Sequence, residues 1–309
     1  MGAESKIEWT DHTWNPFYGC PDDGRRTPAC DHCYARSWAK RSGIVDFDHE
    51  VKRASEKTLR APLNRKVYKP GDRVFVCSLS DVCHCDVNDW WIMEMWEIVR
   101  KRSDLFWSFL TKRPQNLDAT LRLSRGSSAY DRRPLEPSDL PPNWWLGVTV
   151  ENQDQADARL PDLVNIPAEV RFVSVEPMLG FVDLGPWMDR IDWVICGGES
   201  GPGARPMHPE WARSLLDQCV TAGVPFFFKQ WGEWGRYTGE DVPGAMVSWV
   251  RKDGRYSRND EEFGADEFWD DPGSTVMDRL GKKKAGNILD GEQWKQMPAT
   301  KALAGGEEE

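Results

Sequence analysis

Three cysteines, Cys20, Cys30 and Cys33, lie within one Gly- and Pro-rich stretch that runs from Trp14 to Tyr34. Thiols packed this densely usually hold a metal centre. Cys30 and Cys33 form a C-x2-C pair whose sulfurs can face one centre, and Cys20 precedes them across a turn-forming linker. Three thiolates leave one coordination position open. Structural zinc takes four protein ligands, whereas an iron-sulfur cluster held by three cysteines keeps one iron free for a substrate or cofactor, so the array leans towards a reactive cluster. A second group of soft ligands, Cys83-His84-Cys85 with Cys77 nearby, supplies the competitor. C-x-C fits tetrahedral zinc spacing poorly, yet Cys83 or Cys85 as a fourth thiolate would turn the first centre into a closed zinc site.

Polar residues with chemical capacity also follow a series of short apolar runs. The runs at residues 74–76, 105–110, 144–150, 171–175, 193–196 and 224–228 end respectively in Ser78, Ser80 and Asp81; in Lys112; in Glu151; in Glu176; in Gly197-Gly198-Glu199; and in Lys229. Helical apolar spacing separates several of them, as at residues 90–100 and from Pro209 onward. Alternation of this kind predicts βαβ units and a parallel sheet, whose active sites lie at the carboxyl ends of the strands. The expected fold is therefore α/β, a parallel (β/α) barrel or partial TIM-like barrel, whose top face gathers Cys20, Asp81, Lys112, Glu151, Glu176, Glu199 and Lys229. Any single one of these could instead cap the next helix or turn; for the whole set that reading is much weaker.

The elements around this frame divide the chain. A helix is expected over residues 35–42, and the basic stretch after it is expected to be helical up to the Pro70-Gly71 turn. Residues 120–142, with Pro134, Pro137, Pro141 and Pro142, read as an irregular insertion. Beyond Trp234 the character changes to Gly- and Asp-rich segments, an acidic run at 260–271 and a turn-rich Gly281-Lys-Lys-Lys-Ala-Gly286 element. The predicted organisation is a barrel domain over 1–234 and an appendage over 235–309 packed on it, with a frayed tail from about 303.

Composition narrows the function classes. A net charge of −10 argues against nonspecific coating of nucleic acid, because the phosphate backbone is held by summed Lys and Arg contacts. One local exception stands out: Lys52, Arg53, Lys57, Arg60, Arg65, Lys66 and Lys69 are offset only by Glu56 within residues 51–70, either as a basic face or as a solvated helix surface. Eight cysteines, unevenly placed, do not make a secreted disulfide scaffold. No apolar leader opens the chain and no run approaches the roughly 18 apolar residues of a membrane span, so a reducing, cytoplasmic setting is expected. The 17 tryptophans are read mainly as core, with some free to stack on a base.

Together these residues carry a resemblance. Ile7-Glu-Trp-Thr-Asp11, Thr13-Trp-Asn-Pro16, Gly19-Cys20, Cys30-Asp-His-Cys-Tyr-Ala35, Leu110-Thr-Lys-Arg-Pro114, Ser174-Val-Glu-Pro177, Gly197-Gly-Glu-Ser-Gly201, Lys229-Gln-Trp231 and the Gly281 element look like a three-cysteine-motif family found in phages, prophages and bacteria. Its members carry only a domain-of-unknown-function label and resemble radical S-adenosylmethionine (SAM) enzymes. The likeness runs over nearly the whole chain, although the cysteine spacing differs from the C-x3-C-x2-C of mainstream radical-SAM enzymes. It implies a 4Fe-4S cluster on Cys20, Cys30 and Cys33, SAM chelated at its open iron, and a 5'-deoxyadenosyl radical that abstracts hydrogen from a substrate. It further implies His32 and Tyr34 near the adenine, although His32 could equally be a metal ligand or a plain loop histidine. Asp81 with Ser78 and Ser80 would hold the SAM amino group, and Gly197, Gly198 and Glu199 would lie near SAM or substrate. Lys112, Glu151, Glu176 and Lys229 would act at the reacting centre, and a flavodoxin or ferredoxin would donate the electron.

Three readings follow. The first is a radical-SAM-type enzyme in the cytoplasm of a bacterium or phage host, acting on a nucleotide or a base in nucleic acid, with Lys112 and Arg113 reaching a phosphate. The second is a zinc-stabilised nucleic-acid-binding protein using the 51–70 patch and the tryptophans. The third is a metal-bearing adaptor for a protein encoded nearby.

Overall fold

Leaving β1 (His12–Trp14), the chain forms a small antiparallel pair, β2 (Phe17–Tyr18) with β3 (Lys52–Arg53), that brackets the cysteine loop. It then returns as β4 (Arg73–Val76) and continues through β5 (Phe106–Thr111), β6 (Trp144–Thr149), β7 (Val170–Val175), β8 (Trp193–Gly197) and β9 (Phe226–Gln230). These strands pair in parallel in the order β1-β4-β5-β6-β7-β8-β9, a seven-stranded half-barrel. The computed structural model describes residue 5 and residues 7–125, 133–236, 246–258 and 273–299. The acidic run at 260–271, the tail from about 303 and part of the 120–142 insertion lie outside them.

Strand alternation sorts the aromatic residues into two layers. Trp144 turns outward and stacks on Trp96 at 4.5 Å between ring centroids, while its neighbour Trp145 turns inward and meets Trp193 edge-on at 6.0 Å. The inward set, Phe75, Phe106, Trp145, Phe172, Trp193 and Phe227 with Trp9, fills the floor of the half-barrel. The outward set packs under helices α2 (Glu56–Leu59), α3 (Asp89–Lys101), α4 (Leu117–Arg122), α5 (Gln153–Val164) and α6 (Pro209–Ala222), whereas α1 (Tyr34–Ser42) packs in a separate small core beside the cysteine loop. Above the aromatic floor the inward positions become small or polar, as at Gly147, Thr149, Ser174 and Gly197. A Cβ on Gly147 would lie 2.6 Å from the Phe172 ring, so the bulky floor dictates this glycine.

The 51–70 stretch corrects its expected long helix: only Glu56–Leu59 is α-helical, followed by a 3-10 turn at Ala61–Leu63. Pro62 and the Arg102 guanidinium, which takes up the Pro62 and Tyr68 carbonyls, hold this region as a turn-rich wrap over α3. Beyond β9 a second, antiparallel sheet has the order β10-β13-β11-β12, made of β10 (Trp234–Arg236), β11 (Val247–Val250), β12 (Tyr256–Arg258) and β13 (Thr275–Arg279). The last described segment then returns along β9, with the Phe228 N–H on the Trp294 carbonyl at 2.8 Å and the Trp193 indole on the Gln296 carbonyl at 2.9 Å. Lys295 meets Glu8 at 2.9 Å, which ties this segment to the β1 edge of the half-barrel. Among the described residues no helix is long and apolar enough to cross a membrane.

Candidate active site

Gly19 delivers Cys20 to the carboxyl end of the sheet. Its N–H bonds the Leu79 carbonyl at 3.1 Å and its carbonyl accepts the Ser80 hydroxyl at 2.7 Å, which zips the start of the cysteine loop to the exit of β4. A side chain there would strike the Glu50 carbonyl at 2.1 Å, and the φ of +96° is one that glycine alone adopts without strain. Cys20 and Cys33 pack in a small core with Ala35, Ala39, Phe47 and Leu79, and all three loop cysteines are free thiols. Burial pushes the Cys20 thiol up to about 11, with the Arg113 guanidinium beside it pulling the other way.

The exit of β5 places two cations at the thiols. The Lys112 ammonium lies 3.7 Å from the Cys30 sulfur. Arg113, 5 % exposed, points into the loop and grips Asp23 through Nε at 2.6 Å and Nη2 at 3.0 Å. Asp81 holds this arrangement. It accepts the Cys83 N–H at 2.9 Å, the Thr111 hydroxyl at 2.7 Å, the Lys112 N–H at 3.0 Å and Arg113 at 3.1 Å. With both oxygens so engaged, Asp81, the residue expected at the SAM amino group, also seats the loop. Ser78 and Ser80 are likewise drawn into the framework, Ser78 with the Asn15 amide at 3.2 Å and Ser80 with Gly19. Arg113, expected to reach a phosphate, is buried here between the Asp23 and Asp81 carboxylates.

Two further strand ends anchor the same loop. Glu151, fully buried, accepts the Thr27 hydroxyl and the Arg159 guanidinium, the latter at 2.6 Å. Glu199 binds Arg205 at 2.8 Å, and Arg205 in turn donates to the Pro28 carbonyl at 2.8 Å. His32 Nδ1 lies 3.1 Å from Glu199, close enough to pair yet out of line for a hydrogen bond. Glu151 and Glu199, expected at the substrate or SAM, position the loop through these contacts. Gly198 is similarly accounted for, since a Cβ there would lie 2.0 Å from the Trp231 carbonyl where the chains leaving β8 and β9 cross. Gly197 makes room for Glu176, whose carboxylate oxygen would be 2.6 Å from an added Cβ.

Glu176 and Lys229 face each other across the mouth at 2.9 Å, both half-buried, with the Ser174 hydroxyl 3.3 Å from the same carboxylate. Tyr34, 58 % exposed as a residue, stands at this mouth and donates its hydroxyl to the Ser78 carbonyl. Lys282, from the Gly281 element, has its ammonium held below the usual lysine range by desolvation and by the Lys229 charge. Sequence reasoning did not single out Thr27 or Arg205; neither sits at a motif spacing, and only the fold of the loop brings them to Glu151 and Glu199.

The second cysteine group does not close the first centre. Cys83 is buried in the outer layer, where burial and the Asp81 charge raise its thiol far above the ordinary range. Among the described residues, Asp23, His84 and Cys85 are the set of three or more candidate ligands whose donor atoms all lie within 4.8 Å of one another.

A family model described as "Protein of unknown function (DUF5131)" matches residues 4–298. No curated protein matches the sequence. Among solved structures, a mutant spore photoproduct lyase with bound AdoMet and dinucleoside spore photoproduct is similar, with 13 % identity, 87 % of this chain and 74 % of that chain covered, and a TM-score of 0.43. Spore photoproduct lyase complexed with dinucleoside spore photoproduct gives 13 % identity, the same coverage of 87 % and 74 %, and a TM-score of 0.42.

Proposed function

The chain belongs to that family of proteins of unknown function, and from this premise we propose that it is an iron-sulfur enzyme of the radical-SAM type acting on a nucleotide or a base in single-stranded nucleic acid. The observation that carries the reading is the loop of three free thiols seated at the carboxyl rim of the half-barrel with Lys112 and Arg113 beside two of them.

Cys20, Cys30 and Cys33 would ligate the cluster. When bound, a cluster with one open iron supplies the electron for reductive cleavage of SAM. The protein's own residues do the rest. Lys112 and Arg113 offset the negative charge of the thiolates, and Asp81, Glu151 and Glu199 fix the loop that presents them. Tyr34 offers a flat apolar face at the mouth. The Glu176 and Lys229 pair orients a polar substrate group. A flavodoxin- or ferredoxin-like donor delivers the electron at the exposed side of the loop.

The test is anaerobic reconstitution with iron and sulfide followed by incubation with SAM and a reductant. The expected outcome is a chain with bound iron and sulfide that releases 5'-deoxyadenosine and methionine. A reconstituted chain that retains no iron and sulfide, whatever zinc it carries elsewhere, overturns the reading.

A further inference from the structure

We infer that Asp23, His84, Cys85 and Asp86 form a separate binding site for a divalent transition-metal ion, zinc by preference, that staples the Cys20–Cys30 loop to the exit of β4. The site stands apart from the three loop thiols and from the reading given for them. Donor atoms of Asp23, His84 and Cys85 already lie within 4.8 Å of one another. Asp86 lies beside two of the three, its Oδ1 3.7 Å from the Cys85 sulfur and its Oδ2 3.9 Å from His84 Nδ1, and is the residue placed to supply a fourth ligand. One imidazole, one thiol and two carboxylates are a donor mixture suited to zinc, which accepts nitrogen, sulfur and oxygen in a tetrahedron.

The imidazole is prepared for the role. His84 is 2 % exposed, and its Nε2–H donates to the Pro21 carbonyl at 2.9 Å. That bond fixes the tautomer, as the outer hydrogen bond of a metal-bound histidine does, and leaves the Nδ1 lone pair facing the Cys85 sulfur at 4.0 Å. In the metal-free chain Nδ1 accepts the Asp86 N–H at 3.1 Å, the one contact an incoming ion displaces. Arg113 grips both Asp23 oxygens, so the carboxylate is oriented, and its positive charge offsets part of the negative charge of the ligands. A cavity of about 600 Å³ between α3 and α4, lined by His84, Cys85, Asp89, Asn116 and Arg122, gives the ion a route in. Cys83, although next in sequence, faces the core, which explains why the C-x-C spacing reads poorly as a zinc site.

The ion would join Pro21, Asp23 and their loop to residues 84–86, so its effect falls on loop order. The test uses the full chain with Cys20, Cys30 and Cys33 all replaced by alanine, titrated with zinc against a chromophoric chelator and with cobalt as a spectroscopic probe. One equivalent is expected, with a thiolate charge-transfer band in the cobalt form. Cys85→Ser and Asp86→Asn in that background should each weaken binding by roughly 100-fold or more, at or above the loss that outer-shell changes alone cause. Limited proteolysis of the unaltered chain adds a second readout, with zinc protecting the 21–29 loop and Cys85→Ser abolishing the protection. Absence of a bound equivalent in the triple variant, or binding and protection that survive Cys85→Ser, overturns the proposal.

Discussion

At the scale of single residues, the three loop cysteines and the cations beside them make separable predictions. Replacing Cys20, Cys30 or Cys33 singly by alanine should abolish iron uptake. Cys219→Ala should not, because that thiol is fully buried in α6 and its pKa is pushed up to about 12 by burial. Full iron content in the Cys30→Ala chain would remove the cluster assignment. Lys112→Met, by contrast, should leave the cluster assembled and make its midpoint potential more negative. An ammonium 3.7 Å from a ligating sulfur stabilises the more negative, reduced state, and the charge is lost while the stem is kept. A redox titration followed by EPR reads this directly, and an unchanged potential would place the Lys112 ammonium outside the cluster's field. The sequence made the cysteines legible through their density. It placed Lys112 and Arg113 at a strand end, but the loop that folds back over that strand end turns them inward, and no local spacing reports a contact between Asp23 and Arg113.

At the scale of elements, continuous apolar runs made the buried parallel strands easy to read, since both faces of each are covered. The basic 51–70 stretch was misread because its helical composition is overridden by Pro62 and by the carbonyls that Arg102 gathers. Helix α6 carries a further, pH-dependent device. His208 caps it by accepting the Glu210 N–H at Nδ1, 3.1 Å, while Nε2–H donates to the Gly273 carbonyl at 2.9 Å. The Nδ1 acceptor bond requires the neutral ring, and burial holds its pKa below the ordinary 6.5. The neutral form therefore contributes stability that is fully present above about 6.5 and is lost as pH falls from there towards the lower folded-state value. The drop in urea midpoint between about pH 7.5 and 5.5 should shrink in His208→Asn, since asparagine caps without titrating. An identical drop in both chains would assign the acid sensitivity elsewhere.

At the scale of the whole molecule, charge decides how a nucleic acid can be met. The net charge is −10, and the arginines of the 51–70 stretch are largely spent on neighbours: Arg53 on Glu94 at 2.8 Å, Arg60 on Glu56, and Arg65 on Asp104 at 3.0 Å. Arg113 is buried between Asp23 and Asp81. The cations left at the mouth are Lys112, Lys229 and Lys282, of which Lys229 already faces Glu176. A polyanion running across the surface would meet mostly repulsion, whereas one nucleotide entering the mouth would meet a few positive groups next to an exposed tyrosine face. Each phosphate contact to a single strand contributes about 0.7 to the log-log salt slope, so two or three contacts predict a slope of about −2 or shallower. Single-stranded DNA or free nucleotide should therefore bind weakly, with that slope, and Lys229→Met should reduce it by about 0.7. Duplex DNA should show no site-specific gain over this. A slope of about −5 or steeper would require an extended cationic track that the paired arginines do not provide, and would move the binding surface away from the cysteine loop.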